Sequence, residues 1–465
     1  MVPERLRPVI GEAMELAREF GSAGAHLYLV GGVVRDALLD RLSPENDLDF
    51  TTDALPEQTE EILGRWGDSV WAQGKRFGTL GAVRSGRRVE VTTHRSELYP
   101  SSSRKPDVSF STALEADLSR RDFTINAMAI SLPDLQLVDP FHGISDLAAK
   151  SLRTPLAPEA SFTDDPLRML RAARFIAGYD LQPAPELVTA VSHLHGRLDI
   201  VSDERVREEL DKLIVVTDPS AGLWFLVRTG LAEEFLPELP ALALEQDPLH
   251  RHKDVLEHTI AVVQRARPER VVRLAALFHD IGKPKTRSFG PGGTVTFHHH
   301  ELVGSRLTRE RMKALRYPAD DIEKVAKLVE LHLRFHTYGM GWTDSAVRRY
   351  VRDVGDLLEP LNELTRADCT TRNASRAKAL SDRMDELERR IAELKEKEEL
   401  AAIRPDIDGR EVMAHLSTGP GPLVGRALAY LLEVRLDEGP HSQDEALAIL
   451  DRWWTEQPEC QEGRH

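Results

Sequence analysis

At 465 residues the chain is long enough for about three domains with separate cores. Its two cysteines, Cys369 and Cys460, exclude a disulfide framework and point to a reducing, cytoplasmic setting. A net charge of −15 excludes a protein that grips nucleic acid over its whole surface. It leaves room for a local basic groove, because Arg84, Arg87, Arg88, Arg95, Arg104, Lys105, Arg120 and Arg121 crowd the first third, followed by Arg153, Arg168, Arg171 and Arg174. The opening Met-Val-Pro-Glu-Arg-Leu-Arg carries no apolar leader, and no stretch reaches membrane-spanning length, so no membrane association is expected.

In chain order, an apolar run at Leu27–Val30 predicts a buried strand that feeds the turn Gly31-Gly32. With no side chain in the way, backbone N–H groups there can approach phosphate oxygens, and Arg35 adds charge to that cradle. A second strand at Leu48–Thr52 carries Asp49, with Asp47 just before it. Alternation puts residues two apart on one face, so the two carboxylates project side by side. Adjacent carboxylates repel each other unless a cation sits between them, and hard oxygen ligands beside a phosphate cradle suit Mg²⁺. The combination points to two-metal nucleotidyl transfer. Further strands are expected at Thr79–Val83, Val89–Thr93 and Ala127–Ser131. Glu90, on the fourth of these five, is a candidate third acid for the metals or else a solvent-facing position.

Between these elements, Arg95 to Asp107 is polar and rich in serine and breakers, which predicts a mobile loop. Arg121, Asp122 and Asn126 precede the last strand and offer groups able to hold a ribose and phosphates. From Phe162 onward strand signals nearly vanish. Asp165-Pro166 opens a helix whose apolar face is Leu167, Leu170, Ala173 and Phe175, with Arg168, Arg171 and Arg174 as a basic stripe. A histidine-rich helical stretch follows. A long helix is predicted from Ala374 to Ala402, with Leu380, Met384, Leu387, Ile391 and Leu394 in heptad-like steps ahead of Pro405.

Four of these motifs together resemble the class II CCA-adding tRNA nucleotidyltransferases of the polymerase-β superfamily, which are close to bacterial poly(A) polymerases. They are Leu29-Val-Gly-Gly-Val-Val-Arg-Asp, the Asp47/Asp49 pair, Arg121-Asp-Phe-Thr-Ile-Asn-Ala-Met-Ala and Asp164-Asp-Pro-Leu-Arg-Met-Leu-Arg-Ala-Ala-Arg-Phe. The resemblance spans roughly residues 26 to 235 and implies Mg²⁺ on Asp47 and Asp49, triphosphate at Gly31, Gly32 and Arg35, and ribose and phosphates near Arg121 and Asp122. It also implies that Asp165 and Arg168 read the incoming base. Cytosine and adenine each present an amino donor beside a ring-nitrogen acceptor, which suits a carboxylate and a guanidinium; uracil and guanine present the reverse. CTP and ATP are therefore the expected substrates and tRNA the acceptor, with no template. The chain departs from the family pattern at Asp164, where the family has Glu. The polar loop resembles the family's flexible loop, which helps the switch from C to A addition.

Farther on, His258, His279-Asp280 and Asp368 follow the H…HD…D order and local context of the HD superfamily of metal-dependent phosphohydrolases. A divalent transition metal or Mg²⁺ is implied there, and His300 and His332 could hold a second metal. The whole reads as an α+β chain: a polymerase-β-like nucleotidyltransferase head (1–150), an all-α nucleotide-selecting and RNA-binding neck (151–245), an HD domain (246–370) and a helical tail (371–465). The expected activity is CCA addition to tRNA. The alternatives are poly(A) synthesis, or HD phosphohydrolysis as the main activity with the head as an RNA-binding module.

Overall fold

The computed structural model describes residues 9–457, with 4 and 6, except 44–45, 73, 99–106, 245–253, 291–293, 339–340, 370–373, 399 and 401–402. The chain divides into two compact units, Met1–Pro240 and Ala241–His465. Among the described residues no helix is long and apolar enough to cross a membrane.

The first unit is built on β1 (Leu27–Val30), β2 (Leu48–Thr52), β3 (Ser69–Trp71), β4 (Thr79–Arg84), β5 (Arg87–Thr93), β8 (Ala129–Leu132) and β9 (Leu137–Val138), in the order β3-β4-β5-β2-β1-β8-β9. Within this sheet, among the described residues, β2 and β5 are the one parallel pair, with Asp49 opposite Glu90 in register. Leu48 and Phe50 face a core that also takes Leu27 and Leu29 and the helix α1 (Ile10–Ser22) through Ala13, Leu16 and Phe20. Because side chains alternate, Asp49 is turned to the opposite face.

All five predicted strands agree to within two residues. The fifth starts late, since Thr124–Asn126 forms a tight 3₁₀ turn and Ala127 and Met128 are buried beside it. The polar loop carries more structure than expected: β6 (Arg95–Leu98) and β7 (Asp107–Phe110) pair as a hairpin. Its tip, 99–106, lies outside the described residues.

The helix α2 (Gly32–Leu38) leaves the glycine turn, and α3 (Leu167–Tyr179) and α4 (Asp203–Ile214) belong to the same unit. Met169 and Ala172 are buried along with the predicted apolar positions of α3. That helix is therefore enclosed on most sides, and its arginines have protein rather than solvent to face.

Among the described residues the second unit is helical apart from one small hairpin, Arg287–Phe289 with Val295–Phe297. Its functional elements are α5 (Val255–Arg265), α6 (Arg270–Phe278), α7 (His300–Ala314), α8 (Ala319–Leu331) and α9 (Leu358–Asp368). The long helix α10 spans Ala374–Lys397 and buries Met384, Leu387, Ile391 and Leu394. The heptad-like positions thus pack within the chain.

Candidate active site

Gly31 sits at φ 75°, a conformation open to glycine. A Cβ placed there would lie 3.4 Å from Arg121 Nη1 and 3.6 Å from Asp49 Oδ2, so the turn, the guanidinium and the carboxylate converge. Asp47 and Asp49 are both exposed while Leu48 between them is buried, which is the alternation read from the sequence. Asp49, Glu90, Arg121, Asp122, Asp165, Arg168, Arg171 and Arg205 line one cleft of about 320 Å³. Although part of the residue stays open to solvent, the cleft walls around the Asp49 carboxyl strip it of water and raise it to about 6; Arg121 opposes this, and Glu90 and Asp47 add to it. That cost of gathering like charges is one a divalent cation would offset, so this donor set fits a hard metal. Among the described residues, however, Asp47, Asp49 and Glu90 do not close into a three-ligand cluster. Glu90 acts on Asp49 through charge across the parallel strand pair.

Arg121 is held by Asp117, which also pairs with Arg120, each at 3.1 Å. Asp117 is fully buried; the desolvation that would raise its pKa is overcome by Arg121 and Arg120, and the carboxyl lies below its ordinary value.

Pro166 sets the geometry of the Asp165–Arg168 pair. A residue before proline avoids the helical region, and Asp165 is extended at φ −140°, ψ 98°. Its Oδ1 then accepts from Leu167 N at 3.2 Å, and Oδ2 accepts from Arg205 at 3.4 Å. Arg168 N–H donates to the Asp165 carbonyl at 3.0 Å, which fixes both residues on one turn. The Arg168 guanidinium donates to Ser161 Oγ at 2.9 Å and to the Arg120 carbonyl at 2.5 Å. Ser161 and Arg120 therefore orient Arg168, while Asp164 is exposed.

Three residues expected at the nucleotide sit behind the cleft wall instead. Arg35 is buried; it donates to both oxygens of Asp36 and, at 2.6 Å, to Asn126 Oδ1, and it lies 4.2 Å from the centre of the Tyr179 ring. All three of its nitrogens are engaged, so it braces Asn126 rather than projecting into the cradle. Asn126 in turn donates to Asp122 Oδ1 at 2.9 Å. Arg174 donates to Glu209 at 2.7 Å and packs over Phe175.

Asp122 lines the cleft but is saturated. Oδ1 accepts from Asn126 and Phe123 N, and Oδ2 accepts two bonds from Arg171, at 2.9 and 2.5 Å. A carboxylate offers about four lone-pair sites, so a ribose hydroxyl would have to displace one of these bonds. Through two of these bonds it holds the Arg171 guanidinium.

Sequence reasoning missed Arg205, Ser161 and Glu209. Glu209 was detectable: it lies on the stripe of α4 formed by Val206, Leu210 and Leu213 and is 3% exposed. A buried acid on an apolar stripe needs a partner, and it has Arg174 and Arg171. Glu209→Gln is expected to lower stability by about 2 kcal/mol, the worth of charge-assisted bonds, measured by chemical denaturation.

In the second unit, His258, His279, Asp280 and Asp368 converge, as the resemblance to the HD superfamily implies. His258 Nε2 lies 2.9 Å from Asp368 Oδ1, and His279 Nε2 lies 3.2 Å from Asp280 Oδ2. Burial would lower His279, but Asp280 and Asp368 outweigh it and raise it to about 8. Burial and the neighbouring His279 push His332 down to about 4. A proton on His279 thus stands where a cation would balance the two carboxylates. A mixed nitrogen and oxygen donor set of this kind fits a divalent ion.

Comparison with known proteins agrees with this geometry. Residues 27–153 match the poly A polymerase head domain, 180–242 the probable RNA and SrmB-binding site of polymerase A, and 255–393 the HD domain. An A-adding tRNA nucleotidyltransferase of Deinococcus radiodurans is 37% identical over 74% of this chain and 80% of its own length. A CC-adding tRNA nucleotidyltransferase of Thermus thermophilus is 34% identical over 92% of this chain and 93% of its own. The chain belongs to the tRNA nucleotidyltransferase family. The Bacillus stearothermophilus CCA-adding enzyme in complex with CTP shares the fold of this nucleotidyltransferase, with a TM-score of 0.68 at 24% identity over 97% of this chain and 98% of that one.

Proposed function

We propose that this nucleotidyltransferase completes the 3′ end of tRNA by adding CCA from CTP and ATP without a template. The observation that carries the reading is a single cleft holding both Asp49 and the Asp165–Arg168 pair. Mg²⁺ held by Asp47 and Asp49 would supply Lewis acidity for the attacking 3′-hydroxyl and the leaving pyrophosphate. Arg121, fixed by Asp117 beside the glycine turn, presents positive charge to the triphosphate. Arg171, braced by Asp122 and Glu209, adds a second cation on the same wall.

Asp165 keeps acceptor capacity after its bonds to Leu167 and Arg205, and Arg168 keeps N–H groups beyond those spent on Ser161 and Arg120. Together they match the amino and ring-nitrogen edge of cytosine or adenine. The free thiol of Cys369 accords with a reducing cytoplasm as the working compartment.

The decisive experiment extends tRNA ending before CCA, after C and after CC, with CTP, ATP or both, read at single-nucleotide resolution. Two C, one A and then arrest is the expected result. Two of the relatives are a CC-adding and an A-adding enzyme, so specific alternatives exist. Arrest after CC, or A addition confined to the CC-ended tRNA, would replace CCA synthesis with one of those partial reactions. Open-ended A tails would mean poly(A) synthesis.

Proton and metal compete for Asp49. The Mg²⁺ concentration giving half-maximal addition is expected to rise roughly tenfold per pH unit below 6, the value set by burial, Glu90 and Asp47, and to level off above it. Initial rates across a pH and Mg²⁺ grid test this.

The converging HD ligands support a second, hydrolytic activity on phosphoesters. Hydrolysis of bis(p-nitrophenyl) phosphate by the full chain, lost in Asp280→Asn, is the check.

A further inference from the structure

Beyond Asp49 the sheet continues through β5, β4 and β3, and one row of paired residues crosses it. Asp49 pairs with Glu90, Glu90 with Gly81 and Gly81 with Trp71. Residues paired across neighbouring strands point to one face. Leu80 and Ala82, on either side of Gly81, belong to the core, so this row occupies the opposite face. Gly81 draws Trp71 toward the cleft. A Cβ there would run into the indole, so the ring lies over bare β4 backbone on the side of Glu90. The indole is half-buried and takes no part in the core cluster.

Arg88 stands beside it, exposed and on the same face as Glu90. Its guanidinium lies 5.4 Å from the indole ring centre and has no carboxylate partner among the described residues. Arg84 and Arg87, which alternation turns to the other face, are tied to Glu15 and Glu12. An aromatic ring with an unpaired cation next to it suits single-stranded nucleic acid: the ring stacks a base and the guanidinium meets a phosphate.

The direction of transfer says which base. In-line displacement puts the attacking 3′-oxygen and the leaving pyrophosphate on opposite sides of the α-phosphate. With the triphosphate at the glycine turn after β1, the acceptor approaches Asp49 from the β5 side, where Glu90 and then the indole stand. Strands lie about 4.8 Å apart, so the β4 backbone beneath the ring is roughly 10 Å from β2, the reach of a single nucleotide.

We propose, on the nucleotidyl-transfer reading of the cleft, that Trp71 with Arg88 is the stacking platform for the 3′-terminal base of the RNA acceptor. It holds the last ribose so that the 3′-hydroxyl meets the nucleotide at Asp49. Stacking accepts any base, which suits an end whose last base changes with each addition.

The test places 2-aminopurine as the 3′-terminal nucleotide of a tRNA ending before CCA and titrates it with the full chain, without triphosphate. Stacking quenches the emission. Quenching is expected with the parent and with Trp71→Phe, and is lost in Trp71→Leu and in Gly81→Ala, whose methyl group displaces the indole; circular dichroism confirms the fold. Trp71→Leu should also raise KM for tRNA roughly 5- to 150-fold with KM for CTP unchanged. Bound tRNA with unaltered emission in the parent, or full quenching in both variants, would overturn the platform. Should both variants unfold, 4-thiouridine at the same position decides: the parent should photo-crosslink at Trp71 or Arg88, and a crosslink only elsewhere refutes it. Quenching requires no nucleotide addition, so the two readings fail separately. Trp71-dependent quenching with open-ended A tails would overturn CCA synthesis alone. Two C and one A with quenching indifferent to Trp71 would overturn the platform alone.

Discussion

Asp49→Asn is expected to abolish nucleotide addition, by at least about a thousandfold in kcat/KM, while leaving the metal-free protein no less stable than its parent. The catalytic loss follows from removing a charged ligand where charge develops on the phosphates; a thousandfold is roughly 4 kcal/mol of transition-state stabilisation. The stability expectation comes from the sign of the pKa shift. Burial, Glu90 and Asp47 hold the Asp49 carboxyl at about 6, above its ordinary 3.8. The folded state therefore binds this proton more tightly than the unfolded state does. Ionised Asp49 costs stability above pH 6, and that cost is relieved as pH falls through 6 toward 4. At pH 8 the neutral amide carries no such cost. Thermal shift with and without Mg²⁺ separates the two effects. The parent should gain stability on adding Mg²⁺ and Asp49→Asn should not. A variant that still adds nucleotides within tenfold of the parent would remove Asp49 from the metal site.

The cationic wall of the cleft is one connected structure. Arg35, Asn126, Asp122, Arg171, Glu209 and Arg174 form a continuous chain of charged and amide groups from the helix after the glycine turn, through the head, to α3 and α4 of the neck. Buried charges are stable only when paired, and here each has at least one partner. The consequence is functional. Arginines needed at the cleft cannot collapse onto Asp49 or Glu90, because other carboxylates already hold them.

This arrangement also explains what the sequence could and could not disclose. The glycine turn, the alternation of Asp47, Leu48 and Asp49, and the Pro-led helix are local features, encoded within a few residues, and they fold as read. The HD ligands were legible because residue type and context are both distinctive. The fates of the arginines were not. Arg35 meets Asn126 across 91 residues, Arg171 meets Asp122 across 49 and Arg174 meets Glu209 across 35. Spacing along α3 placed three guanidiniums near one face but carried no information about acceptors supplied by other elements. Arg168 illustrates the same limit, since the partners orienting it include a serine seven residues earlier and a carbonyl 48 residues away.

Arg168→Ala is expected to collapse base selection while leaving some nucleotide addition. Asp165 and Arg168 face the cleft together, one accepting and one donating, and a base with the reversed pattern leaves both unpaired. Each unpaired buried group costs about 1–3 kcal/mol, so losing the donor should lower the CTP-to-UTP ratio of kcat/KM by roughly 5- to 150-fold. CTP and ATP should weaken together, because the same pair reads the edge the two bases have in common. Ser161→Ala should move the ratio in the same direction by a smaller factor, since Arg168 keeps its bond to the Arg120 carbonyl at 2.5 Å. Single-turnover rates with all four nucleoside triphosphates on one tRNA acceptor measure these ratios. A uniform loss across the four, with the CTP-to-UTP ratio unchanged, would reassign Arg168 to the phosphates and leave base choice to another part of the cleft.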